Sequence, residues 1–126
     1  MKKFKFRFWD GVNNKMIPSS DTPWLMAIIG DKEIPLLTVS FLDGENKKLI
    51  SQQFTGLQDK NGKDIYEGDI IRVDNELKII QYNNKMALYE AHSKETGARC
   101  LYGYFNDKGE TSISIIGNIF ENSNLI

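Results

Sequence analysis

Apolar residues recur at every second position along much of the chain. Phe4, Phe6 and Phe8 alternate with Lys3, Lys5, Arg7 and Trp9. On an extended strand this puts three phenylalanines on one face and the cations with Trp9 on the other. Asp10-Gly11 is a turn signal, and Met16-Ile17 begins a return strand. Pro18 to Pro23, rich in Ser, Asp, Thr and Pro, reads as a flexible loop. Further strands are expected over Leu25 to Ile29, Ile34 to Leu42, Leu49 to Thr55 and Ile70 to Val73, then over Leu77 to Tyr82, Met86 to Ala91, Arg99 to Phe105 and Ser112 to Ile116. Pro35 marks an edge or a strand start, because proline cannot donate to a ladder. No window carries a three-turn amphipathic helix, and one helical turn is expected near Glu121 to Leu125.

Strand candidates spaced about eight to twelve residues apart suit a sandwich or barrel. The expected fold is all-β, one compact domain over residues 1–126, with a barrel-like, partly SH3-like core and little or no helix. Gly-Asp opening a short β-branched strand at Gly68-Asp69-Ile70-Ile71 supports the SH3-like part by analogy. Two packed β subdomains within that domain would also suit the pattern.

Composition narrows the function classes. The chain has 126 residues, a formal net charge of −1 and one histidine. Such a length buries about two thirds of the unfolded surface, enough for a core without metal or disulfide staples. A near-neutral domain exerts no global pull on phosphates, which disfavours unspecific nucleic-acid binding. The single cysteine, Cys100, cannot close an internal disulfide, and no Cys/His spacing for zinc occurs. No apolar run has membrane-spanning length, and Lys5 and Arg7 interrupt the stretch that an export signal would need. These features point to a reducing compartment, hence a cytoplasmic location.

The segment from Gln53 to Val73 is the most informative. Asp59-Lys60-Asn61-Gly62 is a tight-turn sequence, in which Asn-Gly supplies the positive φ angles of a hairpin. Leu57, Ile65 and Tyr66 are apolar anchors around it, and Glu67-Gly68-Asp69 redirects the chain into Ile70-Ile71-Arg72-Val73. The run from Phe54-Thr55-Gly56-Leu57 to Tyr66-Glu67-Gly68-Asp69 resembles the signature of the YopX family of small phage and prophage proteins. Phe54 stands where that family usually has tyrosine, and Asp64 where it has glutamate. The opening Lys5-Phe6-Arg7-Phe8-Trp9-Asp10, with Lys15-Met16, is similar to the family's start. Ile116-Gly117-Asn118-Ile119-Phe120-Glu121-Asn122 is similar to its close. The resemblance implies an all-β, barrel-like fold, a phage or prophage origin and a bacterial cytoplasmic setting. It implies no mechanism. The motif residues Trp9, Asp10, Thr55, Gly56, Asp59, Gly62, Tyr66, Glu67, Gly68, Asp69, Gly117 and Asn118 are read as structural.

The residues themselves suggest three chemistries. Asp59, Asp64, Glu67 and Asp69 form an acidic group of the type that binds magnesium or serves as acid and base in a hydrolase. Turn-capping competes with that reading, since Asp59 and Asp69 sit beside Gly-containing turns. Lys3, Lys5, Arg7 and Trp9 form a cationic strand face ending in an aromatic, able to track phosphates and stack a base. A solvated edge guarded by lysines is the competing reading. His92 and Cys100 imitate a cysteine–histidine pair, but Cys100 has no nucleophile context and is read as buried. Tyr89, Tyr102 and Tyr104 are read as sheet packing. Trp24, beside Pro23, is the residue best suited to a partner contact. The glycines spell neither a phosphate loop nor a dinucleotide fingerprint. The expectation is a non-enzymatic accessory protein, without cofactor or metal, that binds an unknown protein partner or itself. A nucleic-acid-binding barrel and a metal-dependent hydrolase are the alternatives.

Overall fold

The computed structural model describes residues 5–11, 13–18 and 49–126, with Leu49 described by its backbone alone. The strands expected within residues 19–48, the loop to Pro23, Trp24 and Lys3 lie outside the described residues. The all-β reading holds. The described chain forms curled antiparallel sheets, and its helical content is two single-turn 3-10 segments. It divides into two compact units, Met1–Gln53 and Phe54–Ile126.

In the first unit, β1 (Phe6–Asp10) pairs antiparallel with β2 (Lys15–Ile17) and with the start of β3 (Leu49–Gln58). Trp9 lies opposite Met16 and Ile50, and Arg7 opposite Gln52. Asp10 sets the turn: its Oδ1 accepts from the Asn13 amide and its Oδ2 from Asn13 Nδ2. The alternation expected here put Trp9 on a solvent face. Instead Phe8 and Trp9, on opposite faces of one strand, are both buried, so β1 is covered on both sides.

The second unit begins with the rest of β3, which forms a hairpin with β4 (Asp64–Tyr66). β3 does not end at Gly56. It runs on to Gln58 through a bulge, and Gly56 takes φ +89°, a conformation that costs glycine little. The turn is an i to i+3 turn closed by the Gly62 amide on Asp59 O, with Gly62 at φ +79°. Asn61 is not left-handed. The hairpin therefore uses a type of turn with one left-handed glycine rather than the paired positive angles that Asn-Gly suggested.

A meander follows: β5 (Asp69–Val73), β6 (Glu76–Asn83), β7 (Leu88–Ser93) and β8 (Gly97–Cys100). β9 (Ser114–Asn118) returns to pair with β5, giving the antiparallel order β8-β7-β6-β5-β9. Ile71, Val73, Ile80, Tyr89 and Ala91 share the inner face, and with Ile65, Leu101 and Ile113 they make the core. Each isoleucine buried in this way contributes about 2–3 kcal/mol. Lys78 also points inward at the margin. Its Nζ lies 3.3 Å from Glu76 Oε2 and donates to Thr96 Oγ1, which in turn donates to the same carboxylate oxygen. Those hydrogen bonds, from Thr96 first, hold the Glu76 carboxyl below its ordinary range.

Two expected strands differ. Ala87 is left-handed at φ 54°, so the chain turns through Met86 and β7 starts at Leu88. Asn83 Oδ1 caps that turn by accepting from the Lys85 and Met86 amides. The strand expected over Arg99 to Phe105 stops at Cys100 and becomes a 3-10 turn, Leu101–Tyr104. The turn sends Leu101 into the core and packs Tyr104, three residues on, against the same core, whereas a straight strand would put those two on opposite faces.

The β5–β9 pair is anchored at its end by Asn118 and Asn122. Asn118 Oδ1 accepts from the Phe120 and Glu121 amides, and Asn122 Oδ1 accepts from the Asn118 amide. A Cβ on Gly117 would stand 2.3 Å from Asn122 Oδ1 and 2.9 Å from its Cβ. Gly117→Ala should therefore expel the Asn122 side chain and destabilise the fold by about 1–2 kcal/mol. Urea unfolding of Gly117→Ala, Asn122→Ala and the double variant checks this, and the double should cost less than the sum of the singles.

Candidate functional site

The motif residues after Gln53 form one connected scaffold. Thr55 Oγ1 donates to Ile65 O and accepts from the Leu57 amide, which locks the β3 bulge onto β4. Asp59, 5% exposed, accepts three backbone hydrogen bonds: Oδ1 from Asn61 and Lys63, Oδ2 from Ile115. Lys60 N adds a bond to Ile113 O. The β3–β4 turn is thereby fastened along β9. Asp69, 1% exposed, accepts from the Tyr66 amide and so folds the Glu67-Gly68 corner. Gly68, at φ +88°, donates to Ile80 O and accepts from the Ile119 amide. Asp69 lies opposite Asn118 in the β5–β9 ladder, so the middle and closing motif blocks meet here.

This arrangement decides how the acidic group is used. Asp59 and Asp69 spend carboxylate oxygens on backbone amides, and Asp64 Oδ1 accepts from Gln58 Nε2. Among the described residues no group of three or more His, Cys, Asp or Glu side chains converges as a metal site. His92 and Cys100 are not register partners: His92 lies opposite Ala98, and Cys100 opposite Glu90. Cys100 is half-buried rather than enclosed. The proposed nucleic-acid face is also altered. Trp9 is 8% exposed and offers no free ring for stacking, while Arg7 Nε donates to Gln52 Oε1 at 2.8 Å. Lys5 has interactions of its own.

The exposed aromatic surface lies elsewhere. At the far end of β6, Tyr82 pairs across the strands with Tyr89, their ring centroids 5.0 Å apart and their planes at 66°. Tyr82 is 44% exposed, whereas Tyr89 is buried and forms the floor. Tyr102, on the 3-10 turn that continues from β8 alongside β7, is 49% exposed. Glu67 joins them because the Gly68 amide binds Ile80 O, which places the preceding residue at the Tyr82 end of β6. Met86, on the adjoining turn, is 64% exposed. Burial pushes the Tyr89 phenol up to about 12, and the Glu67 carboxylate, Tyr82 and Tyr102 add to the shift by opposing a further negative charge.

Sequence reasoning placed Tyr89 in the sheet but gave no role to Tyr82 or Met86. The available signal was the spacing of Tyr82 and Tyr89 around a polar Asn-Asn turn, which brings two tyrosines together across a hairpin. A second feature is an open groove of about 570 Å³ lined in part by Asp74, Arg99, Tyr104 and Glu110. There the Arg99 guanidinium lies 4.5 Å from the Tyr104 ring centre and donates to Gly103 O.

Two outcomes follow from these geometries. Asp59→Ala should cost about 2 kcal/mol, because a half-buried Ile115 amide loses its acceptor and the turn loses its cap. Asp59→Asn keeps the Oδ1 bonds and should chiefly accelerate hydrogen exchange at Ile115. For Tyr89, a folded pKa of about 12 against an ordinary 10.0 means its stabilising effect is complete below about pH 10 and lost as pH rises through 12. An absorbance titration of the five tyrosines should show a late-ionising component that disappears in Tyr89→Phe.

The comparisons with known proteins agree with the fold. No curated protein matches the chain. Among solved structures, protein EF1440 from Enterococcus faecalis matches with a TM-score of 0.64 and 21% identity, over 99% of each chain. At that identity the likeness establishes the fold alone. No described helix is long and apolar enough to cross a membrane. The family profile described as YopX protein matches residues 5–126, nearly the whole length, and the chain belongs to the YopX family.

Proposed function

We propose that the protein is a non-catalytic binding module, acting as a phage- or prophage-encoded accessory protein in the bacterial cytoplasm. The observation that carries this reading is the exposed surface of Tyr82, Tyr102 and Met86, set beside the motif residue Glu67. Tyrosine supplies large, stiff contact area at small entropic cost and is enriched at interface hot spots. The occupation of the Asp59 and Asp69 carboxylates by backbone amides supports the non-enzymatic part. The partner is a protein, either another chain or a second copy of this one. The phage setting and location rest on the family resemblance.

The nucleic-acid and hydrolase readings rank below it. Burial of Trp9 removes the stacking platform from the first, and turn-capping occupies oxygens that the second would need. Size-exclusion chromatography with light scattering, alongside pulldown from host lysate, tests the proposal. The expected result is either a mass above 14.4 kDa or a specific captured protein, abolished in both cases by Tyr82→Ser/Tyr102→Ser. A strict monomer that captures nothing, or capture indifferent to the double substitution, overturns it.

A further inference from the structure

We propose that the open groove at Arg99 is a second contact site, in which Arg99 receives a carboxylate and Asp74 a cation, both presented by one protein segment that carries an acidic and a basic side chain. The site shares no residue with the Tyr82 surface and goes beyond the reading given above. The groove has a volume of about 570 Å³, and its charged lining residues are Asp74, Arg99 and Glu110. Arg99 is held in place within it. Its guanidinium lies 4.5 Å from the Tyr104 ring centre, and Nη2 donates to Gly103 O at 3.0 Å. The missing side chain of Gly103 leaves room for that pose, since a Cβ there would stand 3.2 Å from Arg99 Nε. The clamp preorganises the guanidinium but spends one of the five N–H donors of an arginine, and the others meet no acceptor among the described residues.

Asp74 and Arg99 line the same groove without pairing. The Asp74 carboxylate, exposed on the β5–β6 turn, forms no hydrogen bond or ion pair among the described residues. Glu110 differs, because its Oε1 accepts from Asn106 Nδ2. Two unspent charges of opposite sign select an occupant that carries both signs. A planar guanidinium suits a carboxylate, which it binds through parallel, charge-assisted hydrogen bonds. A phosphate chain carries one sign only and would meet Asp74 and Glu110 as like charges. Two observations favour a protein segment over a small ligand. The groove is open and lacks the enclosure that a small free ligand needs. The strand that contributes Arg99, β8, stands at the end of its sheet, so its outer edge pairs with no other described strand and leaves backbone groups for an extended segment. In such a segment, side chains two positions apart share a face.

The test is an NMR titration of the full chain that follows the Arg99 Nε–H and Tyr104 ring signals. Acetyl-Glu-Ala-Lys-amide carries both charges, acetyl-Glu-Ala-Gln-amide lacks the cation and acetyl-Gln-Ala-Lys-amide lacks the carboxylate. Inorganic phosphate is the further probe. Saturable shifts are expected with the Glu-Ala-Lys peptide, weaker binding with Glu-Ala-Gln, and no shift of Arg99 Nε–H with Gln-Ala-Lys or phosphate. Arg99→Gln should weaken the Glu-Ala-Lys peptide by about tenfold. Gly103→Ala keeps the charge and displaces the guanidinium, so it should weaken the same peptide and covers any folding loss in Arg99→Gln. Asp74→Asn suits the same left-handed backbone and should act with opposite signs, weakening Glu-Ala-Lys by about threefold and tightening Glu-Ala-Gln. Absence of saturable shifts, binding indifferent to Arg99→Gln and Gly103→Ala, phosphate binding as tightly as Glu-Ala-Lys, or Asp74→Asn acting with one sign on both peptides overturns the proposal. Tyr82→Ser should bind the peptides unchanged, so failure at this groove and failure of the Tyr82 surface are read separately.

Discussion

Strand β5 is held from both sides, by β6 on one edge and β9 on the other, and the pairing with β9 joins parts of the chain far apart in sequence. Asp59 makes that pairing durable. Its carboxylate accepts from the amides of its own turn and from Ile115 of β9, so one side chain both shapes the β3–β4 turn and ties it to the returning strand. A buried carboxylate tolerates such a place because several N–H donors replace its lost hydration. With β9 fixed, Ile71, Ile113 and Ile115 are brought against Ile65 and Ile80, and the core follows.

The same construction separates scaffold from surface. The acidic motif residues are consumed in building corners. Asp69 fixes the Glu67-Gly68 bend, and Gly68 serves as donor to Ile80 and acceptor from Ile119. That bend carries Glu67 to the end of β6, where Tyr82, Tyr89 and Tyr102 gather. A motif read as folding chemistry thus also positions one carboxylate at an aromatic surface. The hydrogen bonds of Asp69 and Gly68 fix that corner, and a contact site benefits from such preorganisation.

Some of this was legible in the residues. The period-two pattern identified most strands of the second unit, though not the three-residue β4, because inward and outward side chains must alternate on a pleated sheet. Asp59 and Asp69 were readable as turn-capping groups from their places beside Gly62 and Gly68. The motif order pointed to the family that the profile match bears out. Trp9 was misread as solvent-facing, because alternation tells which residues share a face and cannot tell whether both faces are covered. The end of β8 was misread for a related reason. Apolar content at Leu101, Tyr102 and Tyr104 suits a strand, but only the packing of both Leu101 and Tyr104 against one core reveals the turn.

By itself, then, the sequence determined the β class, most strand positions after Gln53, the capping role of Asp59 and Asp69, and the family. These depend on local conformational preference and on alternation, which neighbouring residues encode. Tertiary structure alone decided that Asp59 reaches Ile115, that Asp69 faces Asn118, and that Glu67 stands with Tyr82, Tyr89 and Tyr102. Those associations arise from strand register and return topology. They are set by packing between distant segments, and no local pattern carries them.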